Sequence, residues 1–76
     1  MNAGNETYKK AYQEFCKRLV EARHTAALNQ KDVSLAFGKS KSFMSKCEQG
    51  ERRVDFVELL MLAKIYRKDL SFFVVL

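Results

Sequence analysis

Apolar residues recur along the first third of the chain at steps of four and three, as Tyr8, Tyr12, Phe15, Leu19, Ala22 and Ala26. That period puts them on one face of a helix, and Lys9, Lys10, Lys17, Arg18 and Arg23 fall mostly off the stripe. The spacing predicts a first helix over residues 7–26, preceded by a polar, flexible segment at residues 1–6. The pattern restarts at Asn29, a good N-cap, with Asp32 in the first turn where its charge suits the helix dipole. A second helix over residues 30–37 follows, with Val33 and Phe37 as its inward pair, and Gly38 ends it by accepting positive φ. A third helix is expected over residues 40–49, capped by Ser40 or its neighbour and stopped by Gly50. Its apolar positions are Phe43, Met44 and Cys47.

After the charged connector Glu51-Arg52-Arg53, Asp55 caps a fourth helix, and Glu58 three residues on completes a capping-box pattern. Leu59, Leu60, Leu62, Ala63 and Tyr66 are its apolar positions. Asp69 then caps a short fifth helix carrying Leu70, Phe73 and Val74. A terminal strand over residues 72–76 is the alternative for that β-prone tail. The expected fold is all-α, a five-helix bundle forming one domain over residues 7–76.

Composition agrees with this reading and narrows it. Pro is absent, Gly occurs three times, and hydrophobic residues make up 47% of the 76 residues, which suits a small helical domain. Cys16 and Cys47 lie on apolar helical faces and are expected as buried free thiols in a reducing, cytoplasmic setting. Two Cys and the single His24 do not supply the four ligands of a structural zinc site, so no metal or cofactor is expected. Neither a secretory signal nor a membrane-spanning run is expected. With no triad, metal cluster or Gly-rich phosphate loop, an enzyme is not expected.

The formal net charge is +5, and its placement is more informative than its size. Residues 30–53 carry six basic and three acidic side chains, whereas residues 54–76 carry three of each. The excess lies around the second and third helices. Those two helices and the Gly38-Lys39 turn have the parts of a helix-turn-helix. Ser34 is the small residue where the helices cross, Gly38 is the turn residue, and Val33, Phe37, Met44 and Cys47 lock the crossing. The outward face of the third helix is then Lys41, Ser42, Ser45, Lys46 and Gln49, side chains able to reach base edges and phosphates in a major groove.

In detail the chain resembles the phage repressor/Cro family, the xenobiotic-response-element (XRE) type of helix-turn-helix regulator with a lambda-repressor-like fold. Phe15-Cys16-Lys17-Arg18-Leu19, Glu21-Ala22-Arg23 and Leu28-Asn29-Gln30 match its entry pattern. Residues 38–53 match its turn, recognition helix and exit, and Leu59-Leu60-Met61-Leu62-Ala63 matches its fourth helix. The resemblance runs from Phe15 to about Val74, about four-fifths of the chain. It implies base contacts from Lys41, Ser42 and Lys46, and Ser45 is a further candidate from its place on the outward face. It also implies phosphate contacts from Arg23, Gln30, Ser40, and Arg52 or Arg53, with Gln30 bracing the first recognition residue as well. Where the family usually has Gly, this chain has Ala27 and Arg67. Leu35 and Val20 are apolar where the family is usually charged. Ala27 is therefore expected either to adopt positive φ, at a cost of about 1 kcal/mol, or to sit in a different turn.

Other conspicuous side chains have plainer expected roles. His24 and Lys9-Lys10 are expected on solvated surface, and Glu48 is expected to face nearby basic residues or a helix end. Phe43 fits equally the edge of the core or a thymine methyl. Phe56, Val57, Met61, Phe72, Val75 and Leu76 exceed what one small core needs, and they are the expected homodimer interface. The resemblance implies dimers packed through the fourth and fifth helices. The function expected is a dimeric, sequence-specific regulator that binds duplex DNA at an inverted repeat, either a repressor or a restriction–modification controller. The alternative is an antitoxin or other protein-interaction module whose apolar C-terminal face binds a protein partner.

Overall fold

A computed structural model describes residues 2–75. Among these residues four α-helices appear in chain order: α1 (Asn2–Thr25), α2 (Gln30–Ala36), α3 (Phe43–Glu48) and α4 (Phe56–Tyr66). The expected fifth helix is instead one 3-10 turn, Leu70–Phe73. Asp69 caps it as expected, its carboxylate accepting from Ser71 N–H at 2.9 Å. The chain becomes extended at Val74, and no strand occurs among the described residues. α1 begins at Asn2, six residues before Tyr8, the first position of the stripe that identified it, so residues 2–6 are helical where a flexible segment was expected. At 24 residues it is about 36 Å long, which accounts for most of the molecule's 39 Å long axis.

Four turns of one kind close the helices. After α1, α2, α3 and α4 the chain passes through one left-handed residue, at Ala27 (φ 59°), Gly38 (70°), Gly50 (80°) and Arg67 (56°). In each case the next N–H reaches back to a carbonyl five residues earlier: Leu28 to Arg23, Lys39 to Ser34, Glu51 to Lys46 and Lys68 to Ala63. This is the Schellman closure, which glycine enters without a Cβ penalty. Ala27 and Arg67 thus keep the glycine geometry without glycine. The N-termini are also as expected: Asn29 accepts from Asp32 N–H at 2.8 Å, and Asp55 and Glu58 form a reciprocal capping box.

Leu19 and Ala22 of α1, Val33 of α2, Met44 and Cys47 of α3, and Leu62 of α4 are almost wholly buried and form the centre of the core. Phe43 and Phe73 extend it on either side. α1 is the central support and packs against α3, α4 and the terminal turn, while α2 packs chiefly on α3. Cys16 and Cys47 are free and buried, and burial raises both thiol pKa values. No helix among the described residues is long and apolar enough to cross a membrane.

Candidate nucleic-acid interface

The α2–turn–α3 unit is locked by Ser34. This residue is fully buried where the helices cross. Its hydroxyl donates to Gln30 O at 2.8 Å and accepts from Met44 N–H at 2.9 Å. Ser34 is therefore both the small residue the crossing requires and the hydroxyl that satisfies an amide in the first turn of α3. The expected cap from Ser40 or its neighbour is absent. Ser42 occupies the N-cap position without a side-chain cap bond, and the Ser40 and Ser42 hydroxyls lie 3.3 Å apart. Residues 40–42 form a tight turn, closed by Phe43 N–H to Ser40 O at 3.0 Å, so α3 is shorter than the expected 40–49.

This turn and α3 present the residues expected to contact bases. Lys41, Ser42 and Lys46 are exposed and Ser45 is half-buried, with Gln49 Nε2 donating to Ser45 Oγ at 3.3 Å. Ser40 is exposed beside them. Phe43, which fitted two roles, is a core residue, 6% exposed. It lies 5.5 Å from the Phe37 ring, with the Arg52 guanidinium 4.8 Å from its centroid.

Beneath α3, the Glu48 carboxylate collects three donors. Arg23 Nε and Nη2 approach it at 2.7 and 3.1 Å, and Gln30 Nε2 at 2.8 Å. The Arg23 and Glu48 side chains are 10% and 4% exposed. Arg23 also donates to Leu28 O at 3.0 Å, and the Glu48 bond raises its pKa above the ordinary guanidinium value. Arg23 is thus a buried brace between α1 and α3 rather than an exposed phosphate ligand. Gln30, at the start of α2, braces Glu48 instead of the first recognition residue.

The two arginines after α3 differ. Arg52 makes a bidentate pair with Glu58, at 2.7 and 2.9 Å, which ties the connector to the first turn of α4 and holds the Glu58 carboxyl below its ordinary value. Arg53 is exposed, donates to Gly50 O at 3.0 Å, and stacks 4.3 Å from the Tyr12 centroid. Of the two, Arg53 is the one with an open guanidinium. The hydroxyl of Tyr12 fixes this connector by accepting from Val54 N–H at 3.0 Å. That role is not visible in the periodic pattern, which accounts for Tyr12 only as an apolar position.

The residues expected at the dimer interface divide. Phe56 and Val57 are 65% and 64% exposed, and Met61 is 45% exposed. Leu60, which the pattern gave as one of the helix's apolar positions, joins them at 44%. It lies one turn beyond Phe56, so α4 shows an uninterrupted apolar face. Phe72 is half-buried against its own core. Its carbonyl accepts from Arg18 Nη1 at 2.6 Å, and the Lys68 ammonium stands 4.6 Å from its ring centroid. Val75 is half-buried, and Val74 takes the exposed place. Leu76 lies outside the described residues.

A solved structure described as an XRE-family like protein from Pseudomonas syringae pv. tomato str. DC3000 matches this architecture with a TM-score of 0.85. The match is 32% identical in sequence and covers 96% of this chain and 89% of the other. The chain belongs to the XRE family. No protein-family model matches it, and no curated protein does. XRE-family membership accounts for the helix-turn-helix unit. It also makes Ala27 and Arg67 departures in residue type alone, since the backbone at both positions is left-handed. Among the described residues no cluster of His, Cys, Asp and Glu has the makings of a metal site.

Proposed function

We propose that this XRE-family protein is a sequence-specific, duplex-DNA-binding transcription regulator that acts as a homodimer on an inverted repeat. The observation that carries the reading is the α2–turn–α3 unit. Ser34 fixes its crossing, and Lys41, Ser42 and Lys46 are exposed on one side of it. Lysine donates to guanine acceptors in the major groove, and Ser40 and Arg53 stand at either end of α3 for phosphate. Arg23, Gln30 and Arg52 support this surface through Glu48 and Glu58. The α4 face formed by Phe56, Val57, Leu60 and Met61 supports two-fold pairing, which would set two recognition helices about one turn of DNA apart.

The test is selection of bound sites from random duplex DNA while salt is titrated. A short inverted repeat, with affinity falling steeply as salt rises, is the expected result. Failure to recover a motif at any salt would overturn the reading. The exposed α4 face also fits the antitoxin-like alternative, and stoichiometric co-purification of a second protein that covers Phe56 would favour it.

A further inference from the structure

A groove of about 550 Å³ runs between α1, from Asn5 to Val20, and the end of α3, within the size range of small-molecule sites. Neither the helix-turn-helix crossing nor the apolar face of α4 accounts for it. Cys16 and Gly50 lie at its base, where a Cβ on Gly50 would stand 3.8 Å from the Cys16 sulfur. One wall is aromatic: the Tyr8 and Tyr12 rings stack 6.0 Å apart at 29°, and Tyr8 is 54% exposed. The rim is cationic, with Lys9, Lys17 and Arg53. The exposed Lys17 lies 4.0 Å from the Glu14 carboxylate, which also pairs with Arg18 at 3.5 Å, a contact of little strength in water. Among the described residues the one acid that lines the groove is Glu48, whose oxygens already accept from Arg23 and Gln30.

The groove therefore offers aromatic surface and positive charge together, without a free carboxylate to repel an anion. An inorganic anion would use only the rim, and a neutral aromatic only the wall. We propose that the groove binds a planar aromatic carboxylate, its ring against Tyr8 and its charge toward Arg53 and Lys9. Such a ligand would sit on the connector after α3, because Tyr12 holds Val54 N–H and Arg53 holds Gly50 O. The proposal concerns the free protein, and it shares Arg53 with the phosphate contact proposed above.

The test is titration of the ¹⁵N-labelled full chain with 2-naphthoate, followed by amide shifts. Saturable shifts centred on Tyr8, Tyr12, Cys16, Gly50 and Arg53 are expected. Tyr8→Ala alters an exposed side chain, and it should bind about fivefold more weakly through loss of one stacking contact. 2-Naphthylmethanol, the neutral counterpart, should bind more weakly than the acid. The proposal fails if no saturable shift appears up to about 5 mM, a concentration at which even very weak ligands register. It also fails if the shifts lie elsewhere, if Tyr8→Ala binds unchanged, or if the alcohol matches the carboxylate.

Discussion

Arg23 is nine-tenths buried and gives three of its nitrogens to Glu48 and Leu28. Removing one member of so enclosed a pair leaves the other charge without a partner. Arg23→Ala is therefore expected to destabilise the fold by about 3 kcal/mol, read by chemical denaturation. A loss below about 1 kcal/mol, the range of an exposed pair, would show that the brace is not structural. Arg52 and Glu58 give a pH prediction. The folded Glu58 carboxyl titrates below its ordinary 4.5, chiefly because Arg52 donates to it. The stability this pair contributes is therefore complete above that value and is lost as pH falls through the lowered one. Arg52→Ala should move the Glu58 midpoint back up, as read from its carboxyl carbon shift, and should flatten stability against pH below 4.5. Ala27 carries a left-handed backbone with a Cβ, and its side chain is exposed. Ala27→Gly should raise stability by about 0.5–1 kcal/mol, a rise of several degrees in Tm for a domain this size. A lower Tm would mean that chain entropy outweighs the relieved strain.

At the scale of elements, the proposed function divides the work of binding between the third helix and the connector behind it. Lys46 is exposed on α3, and Arg53 is exposed on the connector that Tyr12 pins. Lys46→Ala should relax base preference at one position of the half-site. Arg53→Ala should weaken all sites alike and reduce the salt slope by about one unit. Uniform loss from both variants, measured across a panel of randomised duplexes, would refute this division of roles. Periodicity and cap residues made the four helices legible in the sequence, because apolar spacing and the Asn29 and Asp55 caps act over a single turn. The helix-turn-helix was legible for a similar reason: Ser34 and Gly38 fall at the positions where sterics demand a small residue and a left-handed one. What stayed hidden depends on contacts distant in sequence. Ser34 replaces the expected cap of α3 across ten residues, and Glu48 draws in Arg23 across twenty-five. The fifth helix was overestimated because Asp69 signals where a helix starts and nothing in the pattern limits its length. A single 3-10 turn suffices to bring Phe73 into the core beside Phe15.

At the scale of the molecule, α4 carries a broad apolar face that the core of the described residues does not cover. Phe56, Val57, Leu60 and Met61 follow one another around α4 at 44–65% exposure, and Val74 is exposed just beyond the terminal turn. A chain of 76 residues buries a limited core alone, so covering this face by a second copy would add stability as well as valency. Phe72 contributes less to such a face than its sequence position suggests, since Arg18 and Lys68 hold it against its own chain. Pairing should therefore centre on α4 and be broken from there. Phe56→Lys changes the most exposed of these side chains and puts a charge opposite its symmetry mate. In sedimentation equilibrium the unaltered chain should be a dimer, and Phe56→Lys a monomer with its helical circular dichroism intact. On DNA the same variant should still occupy a single half-site weakly while losing the tight, cooperative binding that a repeat allows when two readers are joined. A monomer at all concentrations in the unaltered chain, or a dimer that survives Phe56→Lys, would remove α4 as the pairing surface and leave the inverted repeat without a two-fold reader.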